Sequence, residues 1–284
     1  IANVLDISTN LKSEIIEKNY KIKKKTVLIA LPTTAGSGAE VTPNAVLYID
    51  KIKHSIEGDP LKPDYFFLMP NLVKSASTKI RSSAGFDAIA QAFESLISKK
   101  SNEQSVEFAK RSLKISLKSY LENLNNPNSN NTLAMCEAAN LSGRAISISK
   151  TTAPHAVSYP FTSIYNISHG HAVSLTLVKF LVFNFKNIKN SETDFDLKKR
   201  YEIIFELTKT KNIFEFENYL NDITTKAKLE KNFSKLGIDI LKDYKNFISG
   251  VNEKRLSNNP VKLSRENLKD IITSWKLKIK IKVY

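Results

Sequence analysis

Histidine is scarce in this chain of 284 residues, and three of its four histidines fall within one short stretch. They are His155, His169 and His171, while His54 lies far from them in the sequence. Imidazole nitrogens ligate divalent metals and transfer protons near neutral pH. The stretch that holds the three histidines is therefore the first candidate for a functional site.

A second group of polar residues lies in an apolar, helix-like segment at 83–98. Asp87 and Gln91 are four residues apart there, so their side chains share one face of the helix. The neighbouring residues are small or apolar, which makes a carboxylate costly unless it is paired or bound to a metal. Spacing alone leaves two interpretations open: Asp87 ligates a metal, or it is a cap or a hydrogen-bonding residue of the core.

Glycine is also scarce, with 8 in the chain, and two of them stand in Gly36-Ser37-Gly38 directly after a predicted strand. Glycine lets backbone amides approach a phosphate or a ribose closely, and it also permits an ordinary tight turn. Both interpretations stay open. The Gly-Lys-Ser/Thr ending of a P-loop is missing.

The elements that must position these residues change character along the chain. The pattern first predicts a helix at 7–18 and a short apolar strand at 27–31, which we expect to be buried. A hairpin of 45–49 with 53–57 and another strand at 64–69 follow. Helical periodicity then predicts helices at 83–98, 106–124, 132–149, 153–162, 170–184, 192–208, 213–230, 236–248 and 264–276. We predict an α/β piece at 1–76, followed by an all-α domain at 77–284. Small residues on several faces make 132–149 a closely packed central helix.

Composition narrows the class of function. Lys+Arg 43 against Asp+Glu 28 gives a net charge of +15, which favours anionic small molecules. The basic residues are scattered, without zinc-finger spacing or an aromatic-basic motif, so we expect no nucleic-acid partner. The single cysteine, Cys136, excludes an intrachain disulfide and fits a reducing, cytoplasmic setting. No apolar run reaches the roughly eighteen residues of a membrane-spanning helix.

Several motifs in a fixed order resemble those of the iron-containing (group III) alcohol dehydrogenases. The stretch Pro32–Thr42 is similar to that family's PTTAGTGSEVT loop, and Gly85–Ile89 resembles its GxDAL helix. The His155-Ala156 and His169-Gly170 pairs resemble its HAxxH…HG element. The resemblance covers about 32–182 and implies a nucleotide-binding α/β domain and a helical domain, with a metal in the cleft between them. It also implies hydride exchange between NAD or NADP and an alcohol or aldehyde.

Carried over residue by residue, the resemblance implies that Asp87, Gln91, His155 and His169 hold a divalent metal, Fe²⁺ or Zn²⁺. The family usually has histidine where this chain has Gln91. A glutamine carbonyl oxygen suits harder cations than an imidazole does. Tyr159 stands where the HAxxH element places its second histidine. A site that has lost its metal is the alternative.

The resemblance also assigns roles around the cofactor. It implies contacts to the cofactor from Thr33, Thr34, Gly36 and Ser37. Tyr159 and His171 are candidates for proton delivery. The family holds the cofactor pyrophosphate in a Gly-Gly-Gly-Ser loop, and none occurs between Ile1 and Lys25. We therefore expect an N-terminally incomplete sequence that binds nicotinamide cofactors poorly in isolation.

A narrower resemblance concerns the substrate. The segment Ser83–Ser95 resembles a branch of the family associated with phosphonoacetaldehyde reductases, which make 2-hydroxyethylphosphonate, and in this branch Gln91 is a regular feature. Lys150 lies five residues before a ligand histidine, where its ammonium can reach the cleft and bind a phosphonate. Arg144 and His171 could share that role. A solvated loop lysine is the alternative for Lys150.

These observations predict a metal-dependent, NAD(P)-linked alcohol dehydrogenase or aldehyde reductase of dehydroquinate synthase-like architecture. The expected partner is a small aldehyde or alcohol, anionic if it is a phosphonate, and a homodimer is the candidate assembly. Alternatives are a reductase of a sugar-derived or uncharged aldehyde, and a non-catalytic fragment that keeps the fold. Dehydroquinate synthase activity itself is disfavoured by the PTTAGSG and HG elements.

Overall fold

The computed structural model describes residues 10–50 and 52–273, and secondary structure changes along them as the sequence predicts. The first part contains helix α1 (Leu11–Glu17) and strands β1 (Ile29–Ala30), β2 (Asn44–Ile49), β3 (Ile52–Glu57) and β4 (Tyr65–Phe66). Single 3-10 turns lie at Ala39–Val41 and Asp59–Leu61, and helix α2 (Pro70–Val73) leads into the helical part. Residues 7–9 of the predicted first helix lie outside the described residues.

Strands β1 and β4 form a parallel pair in which Ile29 lies opposite Tyr65. The prediction of a buried strand at 27–31 is wrong, because Val27, Ile29 and Leu31 are 65%, 52% and 46% exposed. A parallel sheet is buried only when other layers cover its faces. The described part of the chain gives β1 one partner strand and leaves these side chains uncovered.

The predicted hairpin is confirmed, since β2 and β3 pair antiparallel along their whole length. Asp50 begins the turn in the left-handed region, with φ of 50°. On the inner face, Ile56 packs with Ile15 of α1 and with Leu61. This small cluster fixes the position of the hairpin, and with it the carboxylate of Glu57 at the end of β3.

The helical part contains eleven helices in the described residues: α3 (Thr78–Ile97), α4 (Glu103–Asn125), α5 (Ser129–Ser149), α6 (Ala153–Tyr165), α7 (His169–Ser174), α8 (Leu177–Lys186), α9 (Leu197–Thr208), α10 (Ile213–Lys226), α11 (Tyr244–Ser249), α12 (Glu253–Leu256) and α13 (Arg265–Thr273). Most predicted helices are confirmed, with corrections to their bounds. Helix α9 begins at Leu197 and not at 192, and α10 ends at Lys226 and not at 230. Residues 274–276 of the last predicted helix lie outside the described residues. The segment at 170–184 divides into α7 and α8, and 236–248 is α-helical only from residue 244. None of the described helices is both long and apolar enough to cross a bilayer.

Helix α3 lies at the centre of the main core. Phe86, Ile89 and Phe93 have no exposed surface, and α4 and α5 pack against them. Side chains of Asn102 and Asn128 cap the first turns of α4 and α5 in capping boxes. The prediction that α5 is a closely packed central helix is confirmed by its buried alanines and by the contact of its Gly143 with the loop after β1.

Candidate metal centre

Three helices bring the candidate ligands together, and Gly170 permits their approach. A Cβ atom on Gly170 would overlap the backbone oxygen of Ser83 and lie 2.9 Å from the Cβ atom of Asp87. Only glycine therefore allows α7 to lie directly against α3. As a result His169, at the start of α7, faces Asp87 on α3, and α6 contributes His155 beside them.

Asp87, His155 and His169 form a compact group of ligand atoms, all within 4.8 Å of one another. Oδ1 of Asp87 lies 3.2 Å from Nε2 of His155 and 3.7 Å from Nε2 of His169. Asp87 and His155 are buried, whereas the side chain of His169 is 35% exposed. One ion can lie between the three donors, with His169 on the solvent side.

Gln91 lies beside Asp87, as its spacing predicts, but its amide is engaged on both sides. Its Nε2 donates to Oδ2 of Asp87 at 3.0 Å, and its Oε1 accepts a hydrogen bond from Oγ of Ser142 at 3.0 Å. Gln91 therefore holds the Asp87 oxygen that faces away from the histidines. In this arrangement the Gln91 carbonyl points toward α5, and its role as a ligand remains a prediction.

Glu94 is a site residue that the sequence motifs do not single out. It has no exposed surface, and its Oε2 contacts Nδ1 of His155. The sequence carried a signal for it, because Asp87, Gln91 and Glu94 follow the i, i+4, i+7 pattern of one helix face. The sequence does not show that this face of α3 packs against the start of α6.

The two carboxylates control the charge of His155. Burial alone would lower the pKa of this imidazole, but the neighbouring Glu94 and Asp87 outweigh burial and raise the pKa to about 9. The surroundings of His155 therefore favour a positive charge. A divalent metal can replace the proton at Nε2, since metal ligation requires the neutral imidazole.

Tyr159 and His169 lie next to each other at the more exposed side of the group. Their ring centroids are 6.3 Å apart, and Oγ of Ser158 lies 3.4 Å from Nδ1 of His169. His171 is placed differently. Its ring Nε2 bonds to the backbone oxygen of Glu230 at 2.7 Å, so this nitrogen carries the proton. A role of Tyr159 or His171 in proton delivery stays a prediction.

Lys150 is the C-cap residue directly after α5, where it has a positive φ of 59°, and it is half-buried. Its Nζ lies 3.9 Å from Oε2 of Glu57 on the hairpin. Burial lowers the pKa of the Lys150 ammonium, and Glu57 partly offsets that effect. Arg144 donates through Nε to Oδ1 of Asn140 at 2.9 Å, and its share in binding a phosphonate stays a prediction.

The loop with the candidate cofactor residues, Thr33, Thr34, Gly36 and Ser37, packs on α3, the helix of Asp87, and on α5. Gly38, directly after it, has φ of 61°, and a Cβ atom there would lie 2.6 Å from the Cα atom of Gly143 on α5. Close packing against α5 is therefore one reason for glycine in this loop. Glu40, just beyond, is buried and accepts a hydrogen bond from Nδ2 of Asn140 at 3.0 Å.

The residues present fit a divalent cation. One carboxylate and two imidazoles are a donor set that both Fe²⁺ and Zn²⁺ accept. The other ring nitrogen of His155, Nδ1, contacts the buried carboxylate of Glu94, and a carboxylate at this position is usual beside a metal-bound histidine.

Comparison with known proteins gives two family models that match this chain. The model described as Fe-containing alcohol dehydrogenase family, C-terminal, matches residues 82–275. The model described as iron-containing alcohol dehydrogenase matches residues 2–70. Together they include the loop after β1 and the whole candidate metal centre.

Individual relatives carry several activities. Phosphonoacetaldehyde reductase of Streptomyces viridochromogenes is 33% identical over 163 residues, which cover 55% of this chain and 40% of that protein. 4-Hydroxybutyrate dehydrogenase of Clostridium kluyveri is 28% identical over 178 residues, which cover 61% of this chain and 48% of that protein. The chain thus spans less than half the length of both relatives.

A solved structure agrees with the fold over most of the described chain. Sulfoacetaldehyde reductase from Bifidobacterium kashiwanohense, in complex with NAD⁺, superposes with a TM-score of 0.77 at 28% identity. The match covers 88% of this chain and 64% of that one.

Proposed function

The chain belongs to the iron-containing alcohol dehydrogenase family, and on that premise we propose that it forms the metal-binding part of an NAD(P)-linked alcohol dehydrogenase or aldehyde reductase. One observation carries the proposal: Asp87, His155 and His169, from three different helices, place their ligand atoms within 4.8 Å of one another. A reducing, cytoplasmic setting and a homodimer are part of the same proposal.

The chain's own residues would act as follows. When bound, the divalent metal supplies Lewis-acid polarisation of a carbonyl or alcohol oxygen, and the nicotinamide supplies or accepts the hydride. Asp87 and His155, which are buried, and His169, which is partly exposed, would hold the metal. We assign to Tyr159, beside His169, the holding or passing of a proton at its hydroxyl. Gln91 would orient Asp87, or would ligate the metal through its carbonyl oxygen.

Cofactor binding is proposed for the loop that holds Thr33, Thr34, Gly36 and Ser37. The loop packs on α3, which carries Asp87, and on α5. The NAD⁺ complex of the structural relative supports a nicotinamide cofactor for this chain, either NAD or NADP.

For the substrate we propose a small anionic aldehyde, with phosphonoacetaldehyde as the specific candidate. The names of two relatives support this class, since phosphonoacetaldehyde and sulfoacetaldehyde both join an aldehyde to an anionic group. Lys150, half-buried five residues before His155, is the proposed cation for that group. A reductase of uncharged or sugar-derived aldehydes, and a non-catalytic fragment that keeps the fold, are the alternatives.

The metal proposal predicts the behaviour of His169→Ala. Loss of one of three donors should reduce the stoichiometric Zn²⁺ or Fe²⁺ that survives dialysis to trace amounts, measured by elemental analysis. The matched control is His171→Ala, whose ring is hydrogen-bonded to Glu230 and should leave metal content unchanged. Equal metal content in His169→Ala and in the unaltered protein would contradict the proposed metal site.

A further inference from the structure

Glu94 is a fully buried carboxylate on α3, one turn beyond Gln91. We infer that Glu94 is a positioning residue for the metal: it holds His155 with Nε2 toward the metal and supplies the second negative charge that balances a divalent ion. This inference rests on the proposed metal site and adds a residue that does not itself touch the metal.

The hydrogen bonds of Glu94 fix its orientation. Its Oε1 accepts from the backbone nitrogen and from Oγ1 of Thr152, both at 2.9 Å, and from the backbone nitrogen of His155 at 3.4 Å. Its Oε2 faces Nδ1 of His155. A glutamate oxygen that faces a ring nitrogen accepts a hydrogen bond from it, so we assign the ring proton of His155 to Nδ1, which leaves the lone pair of Nε2 for the metal.

The same contacts tie the helix of His155 to the helix of Asp87. Thr152 is the N-cap residue of α6, but its side chain caps no backbone group of its own helix. Glu94, from α3, accepts the hydrogen bonds of the first turn instead. One side chain on α3 therefore sets both where α6 begins and how its ligand histidine is turned.

Charge balance gives the second argument. In the described residues the ion-pair partner of Glu94 is His155, and neither a lysine nor an arginine pairs with it. A buried carboxylate without a compensating charge is costly. Asp87 and Glu94 together carry two negative charges, which a divalent metal bound by neutral histidines would neutralise. The charge of the two carboxylates thus matches that of a divalent ion.

The test is the Zn²⁺ affinity of the full chain, measured by competition with a chromophoric chelator. Glu94→Gln keeps the size of the side chain and removes its charge, so the affinity should fall about 10- to 100-fold. The matched control is Glu40→Gln, which also replaces a buried carboxylate but one bonded to Asn140. Its Zn²⁺ affinity should equal that of the unaltered protein.

The outcomes separate this inference from the proposed function. If the unaltered chain does not bind Zn²⁺, the proposed metal site is wrong. If it binds Zn²⁺ and Glu94→Gln binds equally well, the positioning role of Glu94 is wrong.

A second measurement does not depend on how the variant folds. In the unaltered Zn²⁺-loaded chain, ¹⁵N NMR of the His155 ring should show a protonated Nδ1 and a metal-bound Nε2. A metal-bound Nδ1 would overturn the inference.

Discussion

At Asp87 the two carboxylate oxygens have different neighbours, and that division explains much of the site. Oδ1 faces the ring nitrogens of His155 and His169, while Oδ2 accepts from Gln91. An amide can donate through its nitrogen and accept through its oxygen at the same time. Gln91 thereby links Asp87 to Ser142 on α5 and restricts rotation of the carboxylate.

Replacing Gln91 should reveal which of its roles matters. Gln91→Ala removes a hydrogen bond to a charged carboxylate, so Zn²⁺ affinity should fall about tenfold. Gln91→His should keep metal binding and shift preference toward zinc, because imidazole is a softer donor than an amide oxygen. Competitive titration with Zn²⁺ and Mn²⁺ measures both effects.

Ser142→Ala serves as the companion variant, because it frees the Gln91 carbonyl without removing the amide. If Gln91 acts by orienting Asp87, the variant should weaken metal binding. If its carbonyl is a ligand, the variant should leave affinity equal or higher. If Gln91→Ala binds Zn²⁺ as tightly as the unaltered protein, Gln91 is a core residue without a role in metal binding.

Some site residues could be predicted from the sequence and others could not. Asp87, His155 and His169 stood out because a carboxylate in an apolar helix and clustered histidines are unusual, and because their motifs resemble a family. Glu94 did not stand out, although it shares a helix face with Asp87. Its function depends on contacts with Thr152 and His155, and the sequence does not give such long-range packing.

At the scale of elements, the metal centre depends on how closely α7 approaches α3. Gly170→Ala should move the two helices apart, since the added Cβ atom would overlap Ser83 and crowd Asp87. Overpacking of this kind costs about 1–3 kcal/mol of the free energy of unfolding. Because His169 moves with α7, Zn²⁺ affinity should fall as well. Denaturant titration and Zn²⁺ competition measure the two losses.

The control for this change is Gly250→Ala, where the nearest atom to an added Cβ is 3.2 Å away, on Pro160. Its backbone φ of −85° suits alanine. This variant should lose little stability and no metal affinity. Full Zn²⁺ affinity in Gly170→Ala would mean that α7 does not need this close contact.

Helices proved easier to predict than the burial of the strands. Helices α3, α4 and α5 follow from periodic apolar residues, and that signal is local to each helix. The apolar run at 27–31 forms only the two-residue strand β1, and Val27 and Leu31 are exposed. Whether a strand is buried depends on the layers around it, which its own residues do not specify.

Over the whole molecule, positive charge is spread widely, but two lysines lie near α6, which carries the candidate ligand His155. Lys150 and Lys254 both approach Glu57, at 3.9 and 3.8 Å. Their exposure differs, since the Lys150 side chain is 24% exposed and that of Lys254 is 76% exposed. The net charge of +15 attracts anions only weakly beyond about 8 Å at physiological salt. Any selective anion binding must therefore come from a partly buried cation such as Lys150.

Lys150→Ala, made in the full-length protein, is the substitution that tests the substrate class. A charge-assisted hydrogen bond from a partly buried lysine to a phosphonate is worth roughly 1.5–3 kcal/mol, so kcat/KM for phosphonoacetaldehyde should fall about 10- to 150-fold. The loss with propanal should be small, because that aldehyde has no anionic group for Lys150 to bind. Lys254→Ala, which removes an exposed lysine beside the same Glu57, should change neither rate. Equal losses on both substrates would mean that Lys150 stabilises the turn before His155 and does not bind the anionic group. No loss on either substrate would contradict the proposal that Lys150 binds an anionic substrate.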